Sequence, residues 1–211
     1  QELEAFPAVV VAPYLSDGVE SLVQCHGLGA LRPNTVLLGW PSDPQRSESC
    51  GAMLRTVAAL NTSLVAVSFA DEPEDPWEVP NGTLDVWWRG RQNGELMLLL
   101  AHLLTKNDAW RSRPIRLLRV IANPAGKDEV LRHLSELIDS SRIRATPHAI
   151  IADDPRTAIQ ECSRDAAVVF IGFEAPEEGE EQAFCERMND WTMGLPRVVF
   201  VDSIGGMSLE S

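Results

Sequence analysis

Little in this chain of 211 residues announces a chemistry, and each shortage excludes something. Lys and Arg number only 18 against 31 Asp and Glu, a net charge of −13. A surface so poor in cations repels phosphate backbones and anionic lipid, so neither nucleic acid nor direct membrane insertion is expected. The four cysteines, Cys25, Cys50, Cys162 and Cys185, form no C-x-x-C pair and no Cys/His spacing suited to zinc. Scattered thiols fit a reducing cytosol better than a disulfide scaffold, and the sequons at Asn61 and Asn81 are then incidental. The longest apolar run, residues 96–104, is interrupted by His102. It is about half of the roughly 20 residues that a bilayer span needs. The chain opens at Gln1 without Met or a signal-peptide pattern, which reads as an excised fragment or a processed chain.

Catalytic motifs are missing too. There is no G-x-x-x-x-G-K-[ST] and no G-x-S-x-G. The G-x-G of His26-Gly27-Leu28-Gly29 lies at the end of a predicted helix. A phosphate cradle needs the order strand, glycine, helix, so these glycines read as a helix stop and a turn. Gly205-Gly206 follows a strand, but no helix comes after it. His26, His102, His133 and His148 show no metal spacing, and His102, among leucines, reads as a core or interface residue. Asp153-Asp154 stands before Pro155, where Asp154 is a natural helix cap. No cofactor, metal or catalytic group is predicted, and the chain reads as a non-enzyme.

Hydrophobic residues, at 45%, are enough for one large domain or two small halves. Apolar runs of strand length at 8–12, 36–39, 64–69, 83–88, 115–121, 149–152, 167–172 and 197–202 alternate with amphipathic stretches. The helices fall at 18–30 (capped by Ser16-Asp17), from a cap at Ser42 or Asp43 to about Asn61, and at 95–104, 127–141, 155–163 and 180–191. Strands of Val, Ile and Leu without polar alternation are buried on both faces, as in parallel sheets. The pattern predicts a doubly wound α/β fold, a mainly parallel sheet with helices on both faces. The polar stretch 105–112 is the predicted junction between a half at 1–104 and a half at 113–211.

Three features stand out within that frame. Aromatic residues make up only 6% of the chain, yet Trp87 and Trp88 are adjacent. In a strand they point to opposite faces, so one is expected in the core and the other at a seam. Asp85 shares the face of Trp87; a charge inside a strand is expected to bond backbone N–H groups or an Arg, in an architectural role. Arg111, Arg113, Arg116 and Arg119 bracket the junction and are candidates to face an acidic partner surface, whereas the acidic run 174–181 reads as a solvated loop.

Asp17-Gly18, Gly27-Leu28-Gly29 and Arg32-Pro33-Asn34-Thr35 through Gly39 resemble the cytoplasmic carboxy-terminal domain of the cation–chloride cotransporters. So do Leu84-Asp85-Val86-Trp87-Trp88, Gly94, Leu96, Leu98-Leu99 and Leu103-Leu104, then Trp110 with Ile115-Arg116. The resemblance runs through most of the chain, and the short loops point to a prokaryotic relative. The family's D-G-G becomes Asn93-Gly94-Glu95, with one extra residue in 89–92. What the resemblance implies is a domain on the cytoplasmic side of the cell membrane, built of two universal-stress-protein-like halves. It would form a homodimer and regulate the membrane domain of the same transporter, with no transport or catalysis by itself. Trp87, Trp88, Asp85, Arg111, Arg113 and Arg116 are the candidate interface or structural residues. The rival reading is a nucleotide sensor of the universal-stress kind, but its G-x-x-G followed about nine residues later by G-[ST] is not found.

Overall fold

The computed structural model describes residues 7–25, 33–41, 43–70 and 78–205. Among them, the apolar runs lie side by side in one sheet, because only another strand can satisfy their backbone groups while both faces are covered. The strands are β1 (Thr35–Gly39), β2 (Ser63–Phe69), β3 (Leu84–Trp87), β4 (Ile115–Ile121), β5 (Ala145–Ile151), β6 (Val168–Gly172) and β7 (Arg197–Asp202). Their order is β1-β2-β7-β6-β3-β4-β5. Every pairing is parallel except β2 with β7, which is antiparallel.

The helices are α1 (Leu15–Cys25), α2 (Ser47–Ala59), α3 (Arg91–Leu104), α4 (Lys127–Ser141), α5 (Pro155–Cys162) and α6 (Glu181–Trp191). Alternate strand residues feed two core layers, as the pleat demands. Val86, Leu117 and Phe170 pack with Leu98 of α3 and Leu134 of α4 on one face. Trp87, Leu118 and Phe200 pack with Leu54 of α2, Ile159 of α5 and Phe184 of α6 on the other. Each such fully buried side chain contributes about 1.5–3 kcal/mol through the hydrophobic effect. This is the doubly wound architecture that the alternation of strands and helices predicts.

From β3 the chain winds through α3 and α4 to the edge strand β5, then returns through α5 to β6 on the other side of β3. The winding direction therefore reverses between β3 and β6. Residues 105–112, the predicted junction, are turns linking α3 to β4. The sheet is continuous there: β3, from 1–104, bonds β4 and β6, both from 113–211.

Some boundaries differ from those expected of the sequence. Residues 8–12, predicted as a strand, are irregular and mostly exposed, since no neighbouring strand pairs with them. Helix α1 starts at Leu15, so Ser16 and Asp17 lie in its first turn instead of capping it; residues 26–30, including the G-x-G, lie outside the described residues. A short 3-10 turn, Pro44–Arg46, precedes α2, and Asp43 accepts from the Gln45 N–H (2.9 Å) instead of capping the helix directly. Strand β5 begins before Pro147, further upstream than predicted; β5 is an edge strand, where the missing N–H of proline costs no ladder bond. Asp154 does cap α5, accepting from the Arg156 and Thr157 N–H groups.

Candidate functional site

A buried polar cluster crosses β3 and β4. Asp85 and Arg116 are register neighbours on these parallel strands, so their side chains emerge together on the α5 face. The Asp85 carboxylate is fully buried, 0% exposed. It accepts from Arg116 Nε (2.7 Å, at Oδ1) and Arg116 Nη2 (2.5 Å, at Oδ2) in a forked pair. Thr83 Oγ1 donates to Oδ1 (2.6 Å) and Ser163 Oγ to Oδ2 (2.6 Å). Ser163 in turn accepts from Trp87 Nε1 (3.0 Å), and Arg116 Nη2 also donates to the Cys162 carbonyl (2.8 Å).

Both carboxylate oxygens are thus occupied by donors fixed in three elements. The hydrogen bond to Asp85 raises the Arg116 pKa further above its ordinary value, so the guanidinium stays charged. Burial pushes the Cys162 thiol up, which keeps it a poor nucleophile, and burial first and Arg116 second push His148 down. With no free lone pair and no thiolate, the cluster anchors the end of α5 to β3 and β4.

The two tryptophans divide between the core layers. Trp87 is 6% and Trp88 3% exposed, the first beside Ser163 and the second under α3. Neither ring is open at the surface, because helices cover both faces of β3. Helix α3 approaches so closely that a Cβ on Gly94 would collide with the Trp88 ring. Of the arginines, Arg111 is exposed and pairs with Asp108 (2.5 Å), whereas Arg113 is half-buried with its Nε lacking a hydrogen-bond partner. Only Arg116 joins the cluster. Ser163, Cys162 and His148 around it were not signalled by sequence, since nothing local marks a helix-end Ser or an edge-strand His as facing an ion pair.

Doubly wound sheets hold ligands where the winding reverses, beyond the carboxyl ends of the strands. Here that crevice is stitched shut by the first turn of α3. Asn93 Nδ2 donates to the Phe173 carbonyl (2.7 Å) and Gln92 Nε2 to the Ser203 carbonyl (2.6 Å). Asn93 Oδ1 accepts from the Ser203 N–H (2.8 Å). The Asn93 side chain also fills the space over Gly172, where a Cβ would meet it at 2.9 Å. Nearby Asp202 has its pKa raised, mainly by burial, with Glu174 adding to it. The strand ends therefore present side-chain amides and carboxylates where a phosphate would need open N–H groups. Among the described residues, no group of three or more His, Cys, Asp and Glu is placed to hold a metal ion.

With this geometry in view, comparisons with known proteins are specific. The family model for solute carrier family 12 matches residues 1–64. Cation-chloride cotransporter 1 of Oryza sativa subsp. japonica is 28% identical over 148 residues, which is 67% of this chain. The chain is similar to the cation–chloride cotransporters. It spans 15% of the length of that rice protein. The crystal structure of the cytoplasmic domain of a prokaryotic cation chloride cotransporter shares its fold, with TM-score 0.66 and 14% identity. That match covers 92% of this chain and 72% of the other. A universal stress protein from Archaeoglobus fulgidus DSM 4304 follows at TM-score 0.56 and 15% identity, covering 82% and 62%. The resemblance carried by the Asp-Val-Trp-Trp and Pro-Asn-Thr words and the universal-stress-like α/β fold both hold.

Proposed function

We propose that the chain is a cytoplasmic regulatory and dimerisation domain of a cation–chloride cotransporter, lying on the cytoplasmic side of the cell membrane. The observation that carries this reading is the match to a cotransporter over 67% of the chain. On this reading ion passage belongs to membrane helices of the same protein, and this domain neither transports nor catalyses. No helix among the described residues is long and apolar enough to cross a membrane. The domain acts mechanically: a rigid α/β body offers a symmetric surface to a second copy, and its position biases the conformations of the membrane domain.

The β1 edge supports an assembly role. Among the described residues no strand pairs with its outer side, a surface that proteins ordinarily cover or charge. Helix α1 has no buried residue, its Val19, Leu22 and Val23 line a shallow groove with β1, and Leu37 of β1 is 69% exposed. Arg111 and Arg113 precede β4, toward the opposite edge of the sheet, and are candidates for a separate polar contact.

Sedimentation equilibrium across a concentration series, with and without ATP, tests the reading. The expected result is a dimer at micromolar concentration, indifferent to ATP and weakened at least tenfold by Leu37→Lys, a change at an exposed position that leaves folding intact. A chain that stays monomeric at high micromolar concentration, or that associates only with ATP, overturns it in favour of nucleotide sensing. A dimer unaffected by Leu37→Lys removes the β1 edge from the interface.

A further inference from the structure

The core layer between α2 and α6 contains two free thiols, Cys50 on α2 and Cys185 on α6. Both are buried, at 6% and 0% exposure, in the same apolar cluster. The helices cross with almost no space between them. A Cβ on Gly51 would lie 2.9 Å from the Glu181 Cα, so only glycine allows the approach. One turn along, the Cys185 Sγ sits 3.5 Å from the Ser47 carbonyl oxygen. Ser47 and Gly51 bound the very turn of α2 that carries Cys50. The Cys185 sulfur therefore points into that turn, toward the Cys50 side chain in the same cluster.

We infer that Cys50 and Cys185 are a peroxide-oxidisable dithiol whose disulfide staples α2 to α6. The neighbouring Cys50 thiol moves Cys185 down, against the opposing effect of burial, while Cys185 and burial move Cys50 up. Cys185 is thus the sulfur that attacks first, since the thiolate is the nucleophile. Its sulfur takes one oxygen of hydrogen peroxide; the O–O bond breaks, hydroxide leaves and becomes water, and a sulfenic acid remains. The Cys50 sulfur then attacks the Cys185 sulfur, the S–O bond breaks, and the departing hydroxide takes the Cys50 proton as a second water. Two thiols are oxidised to one disulfide, and one peroxide is reduced to two waters. Hydrogen peroxide is the oxidant because it is small enough to enter a packed core through local opening. The exposed Cys25 has no thiol hydrogen-bonded to it and can only stop at the first step or react between molecules.

The staple would join α2, near the start of the described chain, to α6, near its end, so it restrains a long loop in the unfolded state. The test is to treat the folded chain, carrying Cys25→Ser and Cys162→Ser, with hydrogen peroxide, then unfold it, alkylate free thiols and map peptides by mass. The expected result is a linked peptide pair containing Cys50 and Cys185. A thermal midpoint raised by roughly 10 °C, and returned to its starting value by dithiothreitol, accompanies it. In the Cys50→Ser variant, Cys185 stops at the sulfenic acid and is captured by a dimedone probe. Recovery of both Cys50 and Cys185 as free alkylated thiols, or as unlinked sulfinic acids, overturns the inference. If the serine background fails to fold, the same mapping on the unsubstituted chain separates these outcomes.

Discussion

Cutting the Asp85–Arg116 pair from either end should cost different amounts, because the two partners differ in their access to water. The Asp85 side chain is 0% exposed and that of Arg116 27%. Asp85→Ala strands a guanidinium that can turn toward solvent, keep its bond to the Cys162 carbonyl and rehydrate. Arg116→Met strands a carboxylate that no water reaches, with only the Thr83 and Ser163 hydroxyls left to it. Removing one partner of a buried pair costs about 3–5 kcal/mol. Asp85→Ala should therefore fall near the lower figure and Arg116→Met near the upper. The double variant should cost about 2 kcal/mol less than the sum of the two, roughly the coupling seen for groups in one network. Against a total stability of about 5–15 kcal/mol, either single change is large. Urea unfolding followed by tryptophan fluorescence reads the effect directly, with Trp87 beside the cluster. At a slope of about 3 kcal/mol per molar urea, the midpoints should move by roughly 1 M and 1.7 M. If Asp85→Ala costs as much as Arg116→Met, the argument from unequal exposure is wrong. If the double variant is additive, the two residues do not act as a pair.

Two other perturbations test the packing and the charge state. Gly94→Ala drives a methyl group into the Trp88 ring; overpacking of about 1–3 kcal/mol outweighs the helix-propensity gain of about 1. The thermal midpoint should fall by several degrees, and a rise would show that the indole has room to move. His148 has its pKa lowered by burial and by Arg116, with Asp85 opposing. The unfolded chain thus binds the proton more readily, so His148 costs nothing above its ordinary value near 6.5. Stability should be lost as pH falls from there through the lowered folded value. His148→Gln should flatten part of the decline in urea midpoint between about pH 7.5 and 5.5, and an unchanged slope would remove His148 as its source.

Legibility varied from residue to residue. Asp85 could be read as a buried charge seeking backbone N–H groups or an Arg, because a carboxylate inside an apolar strand must be hydrogen-bonded or paired; the structure selects the Arg. Arg111, Arg113 and Arg116 look alike in sequence, and only the β3–β4 register selects Arg116. Trp87 and Trp88 were legible as pointing to opposite faces, since the strand period is fixed. That both faces are fully covered depends on where α3 and α5 dock. The closed crevice shows the same limit: Gln92 and Asn93 look like ordinary helix-start polar residues until β6 and β7 bring Phe173 and Ser203 beneath them. The sequence by itself determined the strands, the helices and their alternation, hence the α/β class and the cotransporter resemblance, because periodicity and short motifs are local. Only the tertiary structure decided the strand order, the antiparallel meeting of β2 and β7, the partner of Asp85 and the contact of Cys50 with Cys185. Those depend on pairings between residues far apart in the chain, where loop closure and side-chain packing, rather than local preference, select among arrangements.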